Sequence, residues 1–364
     1  MLQVMKTRYF IWVTLSVIMM SSCDGNDFGD GFEAKDSGIY LNVDDELQFE
    51  VRENLTRNIE VTSLNTDWTI SGFENVNWLT VSPTSGRGRQ SVTITVAPNE
   101  NIGSRSCNLR LTSGSGATAY VKDFKVTQES DAILVTITNG EKIANFIMKR
   151  VKNGQFQAGW STSKSSQHTV TLTKSFYICE HETTQLMWEI VMGSASLSSK
   201  VSLNAKGDNY PISRVSYNES LEFIEKLNQM TGMTFRLPWA AEWEYAAKGG
   251  NQSRNYIYSG SDDINSVAWH GVNSGDNLHE VKTKSPNELG LYDMSGNLKE
   301  WCADWANTYS TTPQTDPTGP TSGTEREQRG GAYYSSVVVF FEPGRTDSDV
   351  PSSTNNWNGF RLAM

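Results

Sequence analysis

"GLYDMSGNLKEWCADW", residues 290 to 305, is the stretch from which the architecture of the chain can be read. Gly290 and Gly296 permit backbone angles that other residues avoid, so a tight loop is expected between them. Asp293 and Glu300 are hard oxygen donors at either end of that loop, and loop carbonyls could complete the kind of shell calcium prefers. The same two residues have another use. The aspartate can hydrogen-bond its own turn, and the glutamate can pair with a buried arginine such as Arg329 or Arg361.

Upstream, "NESLEFIEKLNQMTG" (218–232) predicts an amphipathic helix. Leu221, Ile224 and Leu227 recur at helical spacing beside Phe223, and Gly232 stands just past the end. "RLPWAAEWEYAAKGG" (236–250) predicts a second helix stopped by Gly249 and Gly250. Beyond it the chain is rich in Gly, Asn, Asp and Trp with few regular periods, and a loop-heavy half is expected. Downstream follow "RGGAYY" (329–334) and "NGFRLA" (358–363).

The four stretches "RLPWAAEWEYAAKGG", "GLYDMSGNLKEWCADW", "RGGAYY" and "NGFRLA", in that chain order, resemble the formylglycine-generating enzyme family (the sulfatase-modifying factor domain) over roughly residues 145 to 364. The resemblance implies an α+β, C-type lectin-like fold whose long loops carry the working surface. It also implies a calcium site made by the Asp293 side chain, the Gly296 and Leu298 carbonyls and the Glu300 side chain. The family's enzyme oxidises a substrate cysteine using copper(I) held by two thiolates, because soft sulfur selects that ion. Alignment on Gly330, Gly331 and Tyr333 puts Ser335 and Phe340 where those thiolates belong. A hydroxyl does not bind copper(I) and a phenyl ring has no donor. No catalytic residue and no copper are therefore expected, and Cys302, whose partner position in many relatives falls on Phe340, is expected to be unpaired. The family's "RLPTEAEWE" helix start is altered too: Trp239 and Ala240 replace the capping threonine, with Glu242 kept.

"RGGAYYSSVVVFFEPGR" (329–345) has a fixed-looking frame and an arbitrary-looking filling. Arg329 and the glycines are expected to start a strand, and Arg345 to ion-pair within the core. Between them, and in "TDSDVPSSTNNWN" (346–358), residues change class with no period of two or three. Tyr, Ser, Val, Phe, Asp, Thr and Asn are all reachable from one asparagine codon by changing its adenines. That resembles the variable region of diversity-generating-retroelement proteins, which share the lectin-like fold and the "GFRLA" ending. The ligand-binding surface expected from it comprises Tyr333, Tyr334, Ser335, Ser336, Val338, Phe340, Phe341, Asn356 and Trp357.

Residues 38 to 130 have a different texture. Alternating runs such as "QSVTITVAP" and "CNLRLTSG", split by Gly, Pro, Asn and Ser, predict an all-β immunoglobulin-like sandwich. Their wording resembles a BACON domain, for which both carbohydrate binding and a plain spacer role have been considered. Trp68 and Trp78 are expected in its core. A second domain is expected over 133 to 364.

The start, "MLQVMKTRYFIWVTLSVIMMSSC", joins a basic end to an apolar run too short to span a bilayer comfortably. Residues 1 to 22 are read as a signal peptide, and Cys23 resembles the acylated cysteine of a bacterial lipoprotein. A lipidated tether follows to residue 37. A net charge of −10 over 364 residues argues against nucleic acid. Cys107, Cys179 and Cys302 leave at most one disulfide and show no zinc spacing. The whole is expected to be a surface lipoprotein of the bacterial outer membrane, touching the membrane through its lipid alone and binding an external protein or carbohydrate. The alternatives are an oxidase of the formylglycine-generating type and a non-catalytic envelope scaffold.

Overall fold

The computed structural model describes residues 39–42, 45–51, 55–99, 102–114, 119–159, 167–201, 205–307, 310–336 and 341–364. The expected signal peptide, Cys23 and the tether lie outside these residues, as do Val338 and Phe340. No helix among the described residues is long and apolar enough to cross a membrane.

Strands β1 (Ile39–Leu41), β2 (Glu46–Phe49), β3 (Thr56–Ser71), β4 (Leu79–Ser82), β5 (Ser85–Val96), β6 (Arg105–Ser113) and β7 (Tyr120–Gln128) form one sheet of order β2-β7-β6-β3-β5-β4, with β1 also on β3. The 16-residue β3 runs along β5 and then β6, with an irregularity between Thr62 and Asp67 that lets the sheet curl. Strict alternation along β6 sends Cys107, Leu109 and Leu111 inward onto Ile59, Trp68, Val92 and Val126. Trp68 is fully buried, whereas Trp78 packs at the core's edge under the Arg105 guanidinium, 4.5 Å from its ring centre.

In the second part, β8 (Ala132–Asn139) and β9 (Lys142–Val151) make a hairpin; β10 (Gly154–Ala158) pairs with β11 (His168–Leu172), and β12 (Phe176–Cys179) returns to β9. Helices α1 (Gln185–Met192), α2 (Ser194–Ser198), α3 (Tyr217–Thr231), α4 (Ala240–Ala247) and α5 (Ile264–Val267) follow. Then come β13 (Lys299–Trp305), β14 (Gln314–Thr315), β15 (Arg326–Arg329), β16 (Asp347–Asp349) and β17 (Asn358–Gly359). β14 joins β11, while the other four make a sheet of order β16-β15-β13-β17.

Helix α3 carries a full capping box: Ser216 Oγ accepts from Glu219 N, Glu219 accepts from Ser216 N, and Gly232 closes the far end at φ +70°. Its buried face is Tyr217, Ser220, Phe223, Ile224 and Leu227; Leu221, expected inside, is 43% exposed. At α4 the missing threonine cap is replaced from a distance. Glu242 accepts from Trp239 N at 2.9 Å, and Asp304 of β13 accepts from Ala240 N at 2.6 Å. Arg329 ends β15 instead of starting a strand, because Gly330 (φ +98°) and Gly331 (φ +76°) turn the chain away from the sheet.

Candidate ligand-binding cleft and buried acid cluster

After that turn, residues 330 to 336 lie across the 269–275 and 295–297 loops, fastened mainly by peptide groups. Gly296 N donates to Gly330 O, Tyr333 N to Asn297 O, Ser335 N to Ala332 O and Gly271 N to Ser335 O, all within 2.9 Å. Ser274 Oγ adds a bond to Tyr333 O at 2.8 Å. The approach is close: a Cβ on Gly271 would sit 2.6 Å from Tyr334 O.

The side chains of this segment then point where the backbone leaves them. Tyr334 is 39% exposed, stands edge-on to the half-buried Tyr333 at 5.7 Å and leans on Trp357 at 4.8 Å. Ser336 and Asn356 are exposed, and Arg214 Nε donates to Asn356 Oδ1 at 2.8 Å. Beside this aromatic shelf opens a cleft of about 270 Å³, with Lys299, Tyr334, Ser335, Ser336, Arg345 and Asp347 among its walls. Lys299 is ion-paired with Asp347.

Seven of the nine expected ligand contacts fall on described residues, and six of them surround the shelf and cleft. Phe341, expected among them, does not. It is fully buried against Tyr258 and Val267 beside His270, with its carbonyl held by Ser295 Oγ at 2.9 Å. The segment has already returned to the core at that residue. Ser335 is itself mostly buried and shows the cleft one wall.

Beneath the cleft lies the Asp293–Glu300 loop. Gly296 sits at φ +89°, and a Cβ there would meet Trp269 O at 2.3 Å, so both the angle and the space require glycine. Both oxygens of Glu300 are 2.6 Å from the Arg361 guanidinium, and one also accepts from Trp243 Nε1 at 2.7 Å. Asp293 Oδ2 accepts from Lys282 N at 2.8 Å, while its Oδ1 is buried with no hydrogen-bond partner. Glu182, which sequence reasoning missed, accepts from Leu298 N and Asn297 Nδ2 at 2.9 and 2.7 Å. Its signal was the acid-rich run "CEHE" at the end of an apolar strand, 111 positions before Asp293 along the chain.

Three buried carboxylates thus gather around one guanidinium. Burial pushes Asp293 up to about 6 against the lowering effect of the Lys282 N–H and Arg361, and pushes Glu182 well above the ordinary carboxylate range, where Asp293 and Glu300 raise it further. The unpartnered oxygen and the uncompensated charge fit a hard cation at Asp293. Glu300 enters such a shell only by sharing an oxygen with Arg361. Among the described residues no three His, Cys, Asp or Glu side chains converge tightly enough to hold a metal by themselves, so an ion here depends on main-chain carbonyls.

Cys107, Cys179 and Cys302 are all buried and unbonded, and none lines the cleft. Burial raises the Cys179 thiol to about 12 and the Cys302 thiol well above its usual range.

Comparison with known proteins gives a consistent picture. The profile of the sulfatase-modifying factor enzyme 1-like domain matches residues 138–364, and that of the BACON domain, described as a putative binding domain, matches residues 66–129. Chaperone protein LppX of Paenibacillus barcinonensis is 31% identical over 265 residues, 58% of this chain and 88% of that protein. The formylglycine-generating enzyme of Streptomyces coelicolor is 34% identical over 173 residues, 43% of this chain and 52% of the enzyme, so the chain spans about half of that relative's length. Among solved structures, variable protein 1 of Treponema denticola superimposes with a TM-score of 0.56 at 29% identity, over 64% of this chain and 99% of that one. PvdO from Pseudomonas aeruginosa shares the fold, with a TM-score of 0.52 at 23% identity over 63% of this chain and 97% of that one.

Proposed function

The chain belongs to the sulfatase-modifying factor enzyme 1-like domain family, and on that premise we propose that its C-terminal domain is a binding module, not an oxidase. Its ligand is an external protein or glycan, met by the shelf of Tyr333, Tyr334 and Trp357 with the adjoining cleft. The observation that carries this reading is the exposed Tyr334, leaning on the half-buried Trp357 and borne on a segment whose backbone is fastened independently of its side chains. Aromatic groups of this kind combine a large desolvated face with a polar tip, which suits sugars and proteins alike.

Two further observations support it. Ser335 stands where the resemblance puts the first copper thiolate, and none of the described cysteines reaches the cleft. The likeness to a protein named for its variability accords with a diversified surface at residues 333–336 and 356–357. The BACON domain would then hold this surface away from an outer membrane to which Cys23 is lipid-anchored. Calcium at the Asp293 loop, with the Gly296 and Leu298 carbonyls, would brace the floor of the cleft, taking no part in any reaction.

The test is a screen of glycans and extracellular proteins against the wild type and against Tyr334→Ala and Trp357→Ala. A ligand lost in both variants, with melting unchanged, supports the reading. Formylglycine produced on a sulfatase peptide with copper(I) and reductant, above a copper-only control, would overturn it.

A further inference from the structure

A second cavity, of about 630 Å³, lies on the other side of Arg329 from the cleft, within the volume range of small-molecule sites. Three structural elements each turn a carboxylate into it: Glu244 from α4, Asp304 from β13 and Glu327 from β15. Each is at least nine-tenths buried. Glu244 is well compensated, with Lys248 Nζ at 2.7 Å, Arg329 Nη1 at 3.1 Å and Gly159 N donating at 2.8 Å.

The other two are less so. Asp304 receives the Ala240 N–H described above on one oxygen. Glu327 accepts no hydrogen bond among the described residues and is ion-paired with Arg329 Nε at 3.4 Å, a guanidinium already engaged with Glu244. Three buried carboxylates thus share one guanidinium, with Lys248 serving Glu244 alone, and a buried carboxylate only partly neutralised is costly. Ala158, Val170, Ala240 and Ala241 add apolar lining to the same cavity, Ala240 next to Asp304. The 317–320 loop closes a third side. It comes so near that a Cβ on Gly319 (φ +70°) would stand 3.2 Å from Asp304 Oδ1.

We propose that this cavity is a binding site for an alkylammonium group, with the methylene stem on the alanine and valine wall and the ammonium between Asp304 and Glu327. The ammonium supplies three donors and the charge those carboxylates lack. A free amine and the lysine side chain of a partner protein present the same chemistry. The inference is independent of what the Tyr334 cleft binds.

The experiment is calorimetric titration of the wild-type chain with n-pentylamine, with cadaverine and with a peptide carrying one exposed lysine. Pentanol and pentanoate are the controls for the stem alone and for the opposite charge. Saturable binding of the amines but not the controls is expected, with at least a tenfold loss in Glu327→Gln and Asp304→Asn and none in Tyr334→Ala. Ala241→Leu, which fills the apolar wall and leaves every charge in place, should block binding as well, so the result does not rest on the acidic variants folding. Binding of the lysine peptide assigns the site to a protein partner; binding of the small amines alone assigns it to a free amine. No saturable amine binding by the wild type, or equal binding in Glu327→Gln and Ala241→Leu, overturns the proposal.

Discussion

Glu300 and Arg361, 61 residues apart in sequence, meet inside the core with neither side chain exposed, the guanidinium reaching both carboxylate oxygens at 2.6 Å. Arg361 also donates to the carbonyls of Cys179 and Tyr292, tying β12 and the 290s loop to the chain's last strand region. Removing one partner leaves the other charge stranded. Arg361→Met should destabilise the domain by about 3–5 kcal/mol, and chemical denaturation would show it. A loss under about 1 kcal/mol would mean that the pair contributes little beyond packing.

Tyr334 and Phe341 sit in one short segment and should respond in opposite ways. Tyr334→Ala should change stability by roughly 0.5 kcal/mol or less, as for most surface sites. Phe341→Ala should cost about 3–5 kcal/mol, as for a buried aromatic. Two thermal melts decide this, and equal losses would contradict the placement of one of them.

Calcium should raise the melting temperature if Asp293 holds it, by mass action worth about 2.7 kcal/mol at a hundredfold excess over the dissociation constant. Asp293→Ala should abolish the rise. The competing outcome is an Asp293 that serves only its loop, through the hydrogen bond it accepts from Lys282 N. In that case calcium has no effect on either protein.

Glu327 should impose a pH dependence on stability. Burial pushes it up to about 7, with Asp304, Glu244 and Asp347 raising it and Arg329 pulling it down. In the unfolded chain it titrates at about 4.3. Between those values the folded state holds the extra proton, so this residue's contribution is fully present below pH 4.3 or so and is lost as pH rises through 7. Glu327→Gln removes that loss. Its melting temperature relative to wild type should therefore climb between about pH 5 and pH 8. A constant difference across that range would show that Glu327 is ionised throughout.

Much of the framework was legible because its signals are local. Ser216, Glu219 and Gly232 mark the ends of α3 by their own hydrogen bonds, and the alternation of β6 needs no knowledge of its partners. Leu221 was misplaced because an i, i+3, i+6 spacing drifts around a helix, whereas the face that packs follows Tyr217, Ser220, Ile224 and Leu227. Phe341 was misplaced because an irregular segment has no period; its burial is decided by Tyr258, Val267 and Ser295, which only the folded chain brings near. The Asp293–Glu300 loop was legible as a motif. Its electrostatics depend on Glu182 and Arg361, one contributed from more than a hundred residues before and the other from the chain's end, and spacing within the motif carries no trace of either.

The peptide-group fastening of residues 330 to 336 has a practical side. A scaffold whose display loop is held by amides and carbonyls separates the choice of binding side chain from the maintenance of the frame. Tyr334, Ser336, Asn356 and Trp357 could be randomised together in a selection library, with Gly271, Gly296, Gly330, Gly331 and Phe341 kept constant. Most members of such a library should remain folded, and selection would then act on recognition alone.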